Sequence, residues 1–216
     1  MAKLEGTGIK RRRFSAVILS LLLTLSLAHS ISVCRAQSTY QEETDRLAAL
    51  LSWQPSSTMA EIGAGHGQMT LAAAKRVGKI YSTELEGKLL TNLEQLAATK
   101  KNIVAVKAAE TDTNLPEACC DSILMRLVYH HLTKPAEMDA GLFRSVKPGG
   151  LPAVIDEERP PGSSPPEGVP KNRGGHGRPK KLLILELTTA GFQVVQVVDN
   201  WPNHKYCVLF KRPPKQ

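Results

Sequence analysis

Glu61, Gly63, Gly65 and Gly67 stand at every second position of AEIGAGHGQMT, residues 60–70. Glycines so spaced let a backbone turn sharply and approach a ligand closely, because no Cβ stands in the way. Three chemistries compete for such a turn. A nucleotide-phosphate loop ends in Gly-Lys-Ser/Thr, whereas this chain continues Gln68-Met69-Thr70 with no lysine. A dinucleotide loop needs G-x-G-x-x-G, and position 68, where its third glycine belongs, is glutamine. Both of those loops hold phosphate. A carboxylate at Glu61, just ahead of the turn, repels phosphate and suits a ligand with a cationic end.

The elements around the turn alternate strand and helix. STMAEIG forms a strand running into the glycines, and QMTLAAAKRV a helix closed by Gly78. KIYSTEL is a second strand, NIVAVKA a third, and CDSILMRLVY a fourth, apolar enough to be buried on both faces. GKLLTNLEQLAATK carries Leu89, Leu93, Leu96 and Ala97 at helical spacing. KPAEMDAGLFRSV is a helix stopped by KPGG, and LPAVID is the fifth strand. KKLLILELTTAGF is helical, and QVVQVVDNW and KYCVLFKR are strands joined through Asn200, Pro202 and Asn203. Ahead of the first strand, Thr39 and Glu42 form a capping box for a helix carrying Leu47, Leu50 and Leu51, which Pro55 ends. Repeated strand–helix units closed by a hairpin predict an α/β fold: a Rossmann-like open seven-stranded mostly parallel sheet, helices on both faces, and a C-terminal antiparallel hairpin. In such sheets a ligand sits beyond the carboxyl ends of the strands where strand order reverses, and the glycine turn falls at that edge.

With these landmarks in order, the chain resembles the class I S-adenosylmethionine-dependent methyltransferases. AEIGAGHGQMT is similar to their E/D-x-G-x-G-x-G motif, KIYSTELEGKLL to their second strand, and LPEACCDSILMRLVYHHL to their fourth. LFRSVKPGGLPAVID resembles the turn and fifth strand of the group containing ubiquinone- and menaquinone-type methyltransferases. The resemblance runs over residues 40–156 and implies S-adenosylmethionine as cofactor. It implies Glu61 at the methionine amino end, Gly63, Gly65 and Gly67 along the methionine portion, Glu84 on the ribose hydroxyls and Leu85 beside the adenine. Where the family often has Gly-Asp after the third strand, this chain has Ala108-Ala109, leaving Glu110 or Asp112 as the acid for the adenine amino group.

The acceptor side is expected beyond the fourth and fifth strands, near Arg126, Tyr129, His130, His131 and Asp156, with His176 from a long loop. Tyr129, His130, His131 and Asp156 are the candidate catalytic groups for any proton transfer. Arg126 inside an apolar strand must pair with a carboxylate or reach the open edge, where it would serve the cofactor or an anionic acceptor. Residues 159–179 hold eleven prolines and glycines in 21 positions, fit no regular element, and read as a lid, binding loop or insert. Their basic end, KNRGGHGRPKK, is a solvated loop or a cover for an anionic or phospholipid acceptor. No NPPY-like motif follows the fourth strand, which argues against the amino-methylating nucleic-acid enzymes. The expected acceptor is therefore a small molecule, lipid-like or anionic. The alternative is an exported binding protein on the same fold, without transfer.

The net charge of +8 misleads about partners, because residues 1–36 contribute +5 of it. The body is close to neutral and does not read as a nucleic-acid binder. Those 36 residues have the order of a secretory signal or membrane anchor: basic residues ending at Arg13, an apolar run from Phe14 to Leu27, then SVCRAQ with cleavage after Ala36. Arg11-Arg12-x-Phe14 resembles a twin-arginine signal, so the expected location is exported, periplasmic or secreted, with residues 37–216 as the folded domain. Membrane anchoring through the leader is the alternative. Beyond the leader Cys119, Cys120 and Cys207 remain, an odd set that is no disulfide scaffold, and no spacing predicts a metal site.

Overall fold

The computed structural model describes residues 40–158, 162–171 and 176–214. The leader and Thr39 lie outside the described residues. The chain divides into two compact units, Met1–Glu42 and Glu43–Gln216. Of the first, only residues 40–42 are described, and they are helical.

The second unit is a seven-stranded sheet. Its strands are β1 (Thr58–Ile62), β2 (Lys79–Glu84), β3 (Ile103–Lys107), β4 (Cys120–Arg126), β5 (Val146–Asp156), β6 (Gln193–Trp201) and β7 (Lys205–Lys211). The order across the sheet is β3-β2-β1-β4-β5-β7-β6, with β1 to β5 parallel and β7 antiparallel to both β5 and β6. This is the expected architecture. Five helices accompany it: α1 (40–50), α2 (Gln68–Ala73), α3 (Lys88–Thr99), α4 (Pro135–Ser145) and α5 (Lys180–Thr189).

Strand alternation sorts the core into two layers. Ala60, Ile62, Ile123, Met125 and Val154 pack with Met138 and Leu142 of α4 and Leu183 and Leu187 of α5. Met59, Glu61, Ser82, Ser122 and Arg126 stand at the opposite phase. There Thr70 of α2 reaches Glu61 and Ser82, the Trp53 indole N–H donates to Ser122 Oγ at 2.9 Å, and Glu43 of α1 meets Arg126. β4 lies between β1 and β5, and Ser122 to Met125 are all buried, as a strand covered on both faces requires.

Four boundaries differ from the sequence expectation. α2 ends at Ala73 rather than running to Gly78, whose role is close approach: a Cβ there would stand 2.3 Å from the Pro55 carbonyl oxygen. α1 gives way to Ser52 at φ 52°, ahead of Pro55, so the proline does not end it. β4 stops at Arg126 because Leu127 turns to φ 56° and Tyr129–His131 wind into one 3-10 turn. KPGG belongs to β5 as a bulge: Cys120 pairs with Val146, and Ser122 next with Leu151. Gly149 and Gly150 there exchange backbone hydrogen bonds with Arg212.

Candidate functional site

Strand order reverses between β1 and β4, and a cavity of about 520 Å³ opens at their carboxyl ends. The glycine turn forms its inner edge. Gly63, Gly65 and Gly67 have φ of 65°, 58° and 77°, the left-handed region where a side chain is strained. Gly63 lines the cavity, and a Cβ on it would lie 2.5 Å from Val128 Cγ2, so the turn and the chain beyond β4 close on each other without room for a methyl.

Glu84, at the end of β2, lines the cavity with Leu85. The Gly65 N–H donates to its Oε1 at 2.7 Å and the Leu85 N–H to its Oε2 at 3.3 Å. A carboxylate accepts about four hydrogen bonds, so Glu84 keeps acceptor capacity toward the cavity. Beyond β3 the wall is Ala108, Ala109 and Glu110. Of the two acids, Glu110 lines the cavity, while Asp112 is held by Arg144 through contacts of 2.7 and 2.9 Å. Glu167 and Gly168 of the long loop also line the cavity, an approach that loop composition alone did not place.

Glu61 is 3% exposed and sits beneath the turn, outside the walls of this cavity. Its Oε2 accepts from the Thr70 hydroxyl at 2.5 Å. Burial pushes its pKa up to about 7, against the opposing pull of the Thr70 hydrogen bond and the Arg126 charge. Arg126 takes the first of the two fates the sequence allowed. Its Nε and Nη2 donate to the two oxygens of Glu43 at 2.7 and 2.9 Å, and Glu43 is fully buried. A guanidinium so engaged has its charge matched within the fold. Two cations of the loop's basic end are likewise paired, while Lys171 and Lys181 are exposed. Arg178 is buried and paired with Glu186, and Lys180 pairs with Asp199.

The acceptor-side candidates separate in the same way. Tyr129 is fully buried and its hydroxyl donates to Asp139 Oδ2 at 2.8 Å, with burial pushing the phenol far above its usual pKa. Asp156 accepts from the His130 backbone N–H at 3.2 Å, contacts His130 Nδ1 at 2.8 Å, and accepts from the Glu157 N–H at 2.8 Å. These contacts anchor the 3-10 turn to the end of β5. His131 is the candidate that lines this cavity. Burial first, then the neighbouring His130 and His176, holds its pKa below the usual imidazole range, so the ring is neutral and has a lone pair to take a proton. The His176 ring lies 6.3 Å from that of His131. Among the described residues no group of three His, Cys, Asp or Glu side chains is arranged to hold a metal ion.

Glu43 and Thr70 were not legible as site residues. Glu43 is one of several acids on a short helix, and Thr70 one hydroxyl past the glycines; only the fold brings both onto the face of Glu61 and Arg126.

Comparison with known proteins agrees with this geometry. The family described as methyltransferase domain matches residues 60–154, from the glycine turn through β5. A curated relative, a probable ribosomal RNA small subunit methyltransferase A of Methanosarcina mazei, is 32% identical over 96 residues, 40% of this chain. The chain spans only about a third of that relative's length, 35%. Among solved structures, an S-adenosylmethionine-dependent methyltransferase from Aquifex aeolicus superposes with a TM-score of 0.66 at 23% identity, covering 78% of this chain and 89% of that one. One from Mesorhizobium loti superposes with a TM-score of 0.64 at 18% identity, covering 78% and 96%. The cyclase SpnF also reaches 0.66, at 15% identity, covering 82% of each chain. Residues 60–154 thus match the methyltransferase-domain family, and the chain shares the fold of S-adenosylmethionine-dependent methyltransferases.

Proposed function

We propose that this domain binds S-adenosylmethionine in the cavity at the β1–β4 edge and transfers its methyl group to a small, apolar, lipid-like acceptor. The observation that carries the reading is the pair of carboxylates, Glu84 and Glu110, set in one cavity whose remaining walls include Ile62, Leu85, Leu89 and Leu132. Two acceptors in an apolar cleft suit a nucleoside, with hydroxyls at Glu84, an exocyclic amine at Glu110, and a base against the leucines.

When bound, the cofactor supplies an already activated methyl on a sulfonium. The chain's own work is then to orient the donor, exclude water and align the acceptor. Gly63 and Val128 close on one another at the inner edge, and Glu167 and Gly168 add cover from the loop. His131 takes a proton on a ring nitrogen if the acceptor atom must lose one. The internal pairing of Arg126, Arg178 and Lys180 favours a neutral acceptor over an anionic one. The relative named for ribosomal RNA raises a nucleic-acid acceptor as a competitor, but the near-neutral body of this chain offers little to hold a phosphate backbone.

A fold does not fix a chemistry, and a neighbour named as a cyclase shares this one. Calorimetric titration of S-adenosylmethionine and of its demethylated product tests the donor site. Micromolar binding to the wild type, weakened by Glu84→Ala, is the expected result. No binding to a protein shown to be folded would leave the binding-protein reading with another ligand.

Residues 1–36 support export, on sequence grounds, by a twin-arginine route that moves folded proteins. Periplasmic reporter fusions should lose export on Arg11-Arg12→Lys-Lys; retention of both fusions in the cytoplasm would sink the idea.

A further inference from the structure

Cys119 and Cys120 lie at the amino end of β4, about 20 Å from its carboxyl end and the cavity. Their sulfurs are 2.9 Å apart. Consecutive residues of an extended strand point to opposite faces, so two adjacent sulfurs meet only where that alternation is broken. Here Cys119 stands just ahead of the strand, after Ala118, which has φ 46° although it carries a Cβ and whose N–H is held by the Arg144 carbonyl at 2.9 Å. The strand begins only at Cys120, which pairs with Val146 of β5. The two thiols are unlike. Cys120 is fully buried, and Cys119 is partly exposed. The Cys120 hydrogen bond first, and the Lys79 and Lys147 ammonium groups after it, lower the Cys119 thiol pKa, while its neighbour and burial raise that of Cys120.

We propose that Cys119 and Cys120 form a dithiol modification site for low-molecular-weight disulfides, with Cys119 as the attacking thiolate and Cys120 as the resolving thiol. The Cys119 thiolate attacks one sulfur of a disulfide RSSR, forming a mixed disulfide and releasing RS⁻. The Cys120 thiol gives up its proton and attacks the Cys119 sulfur, closing a ring between the adjacent residues and releasing the second RS⁻. In sum, the protein dithiol is oxidised to a disulfide, and RSSR is reduced to two RSH, which take up the two protons. The partial exposure of Cys119 admits the small reagent. The buried Cys120 meets it only through Cys119.

The test uses the full chain and oxidised glutathione as the probe, followed by alkylation, proteolysis and mass spectrometry. The peptide carrying both cysteines should lose two hydrogens, escape alkylation and recover both thiols with dithiothreitol, while Cys207 stays reduced. Cys120→Ser should instead hold glutathione on Cys119, and Cys119→Ser should leave Cys120 unmodified. An unreacted pair in the wild type, a lasting glutathione adduct on Cys119 there, or preferential reaction at Cys207 would each overturn the proposal. The wild-type result decides the matter even if a variant fails to fold.

Discussion

The Gly65 backbone N–H donates to the Glu84 carboxylate at 2.7 Å, joining the turn after β1 to the end of β2. The two strands are adjacent and parallel, so their carboxyl ends emerge together, and this one bond fixes the turn and the acid as a unit. Glu84 is aimed before any ligand arrives.

That arrangement separates two variants. Glu84→Gln keeps an oxygen for the Gly65 N–H but loses the charge, whereas Glu84→Ala loses both. Hydrogen bonds to a charged group are worth about 1.5–3 kcal/mol, so Glu84→Ala should weaken S-adenosylmethionine about 10- to 100-fold. Glu84→Gln should fall between it and the wild type. Calorimetry on the two variants reads the split, and equal losses would mean that the charge alone matters.

Glu61 predicts a pH dependence of stability. Its folded pKa is raised from 4.5 to about 7, mainly by burial, so the folded chain holds a proton that the unfolded chain has lost between those values. Unfolding then releases a proton, and stability falls as pH rises through that window, by about 3 kcal/mol in all, before levelling above it. Urea unfolding from about pH 4 to about pH 8 measures the slope, which Glu61→Gln should remove.

Gly63→Ala should be costly for two separable reasons. Its φ of 65° strains any side chain, and the new methyl would meet Val128 at 2.5 Å. Adding Val128→Ala relieves the second reason only. Thermal unfolding of both single variants and the double variant should show partial rescue, with an interaction energy of about 1 kcal/mol.

Breaking the Arg126–Glu43 pair at Arg126 should destabilise the fold by about 3–5 kcal/mol, because it strands the fully buried Glu43 carboxylate. Replacing both residues with apolar ones of similar size should cost less than either single change. Chemical denaturation of the four proteins closes the cycle.

The strands were readable because each is a short run bounded by glycine, proline or a polar turn, and the glycine turn was readable because its spacing excludes two rival loops. The failures share a cause. Gly78 resembles a helix stop but serves an approach to Pro55, and KPGG resembles a stop but enters β5 as a bulge. A glycine in a sequence marks a backbone need without naming the partner that creates it. Which of Glu110 and Asp112 lines the cavity was illegible for the same reason, since Arg144, which takes Asp112, lies 32 residues on.

The position of β7 carries a consequence in time. This strand, Lys205–Lys211, is inserted between β5 and β6 and is buried along nearly its whole length, so the sheet's interior is completed by a strand that follows both of its neighbours in the chain. While the chain emerges from the ribosome, β5 waits with an open edge and β6 has nothing to pair with until residue 211 is free. The parallel half can assemble early, but the finished sheet waits for β7, and a nascent chain stalled before that point exposes an unpaired strand edge.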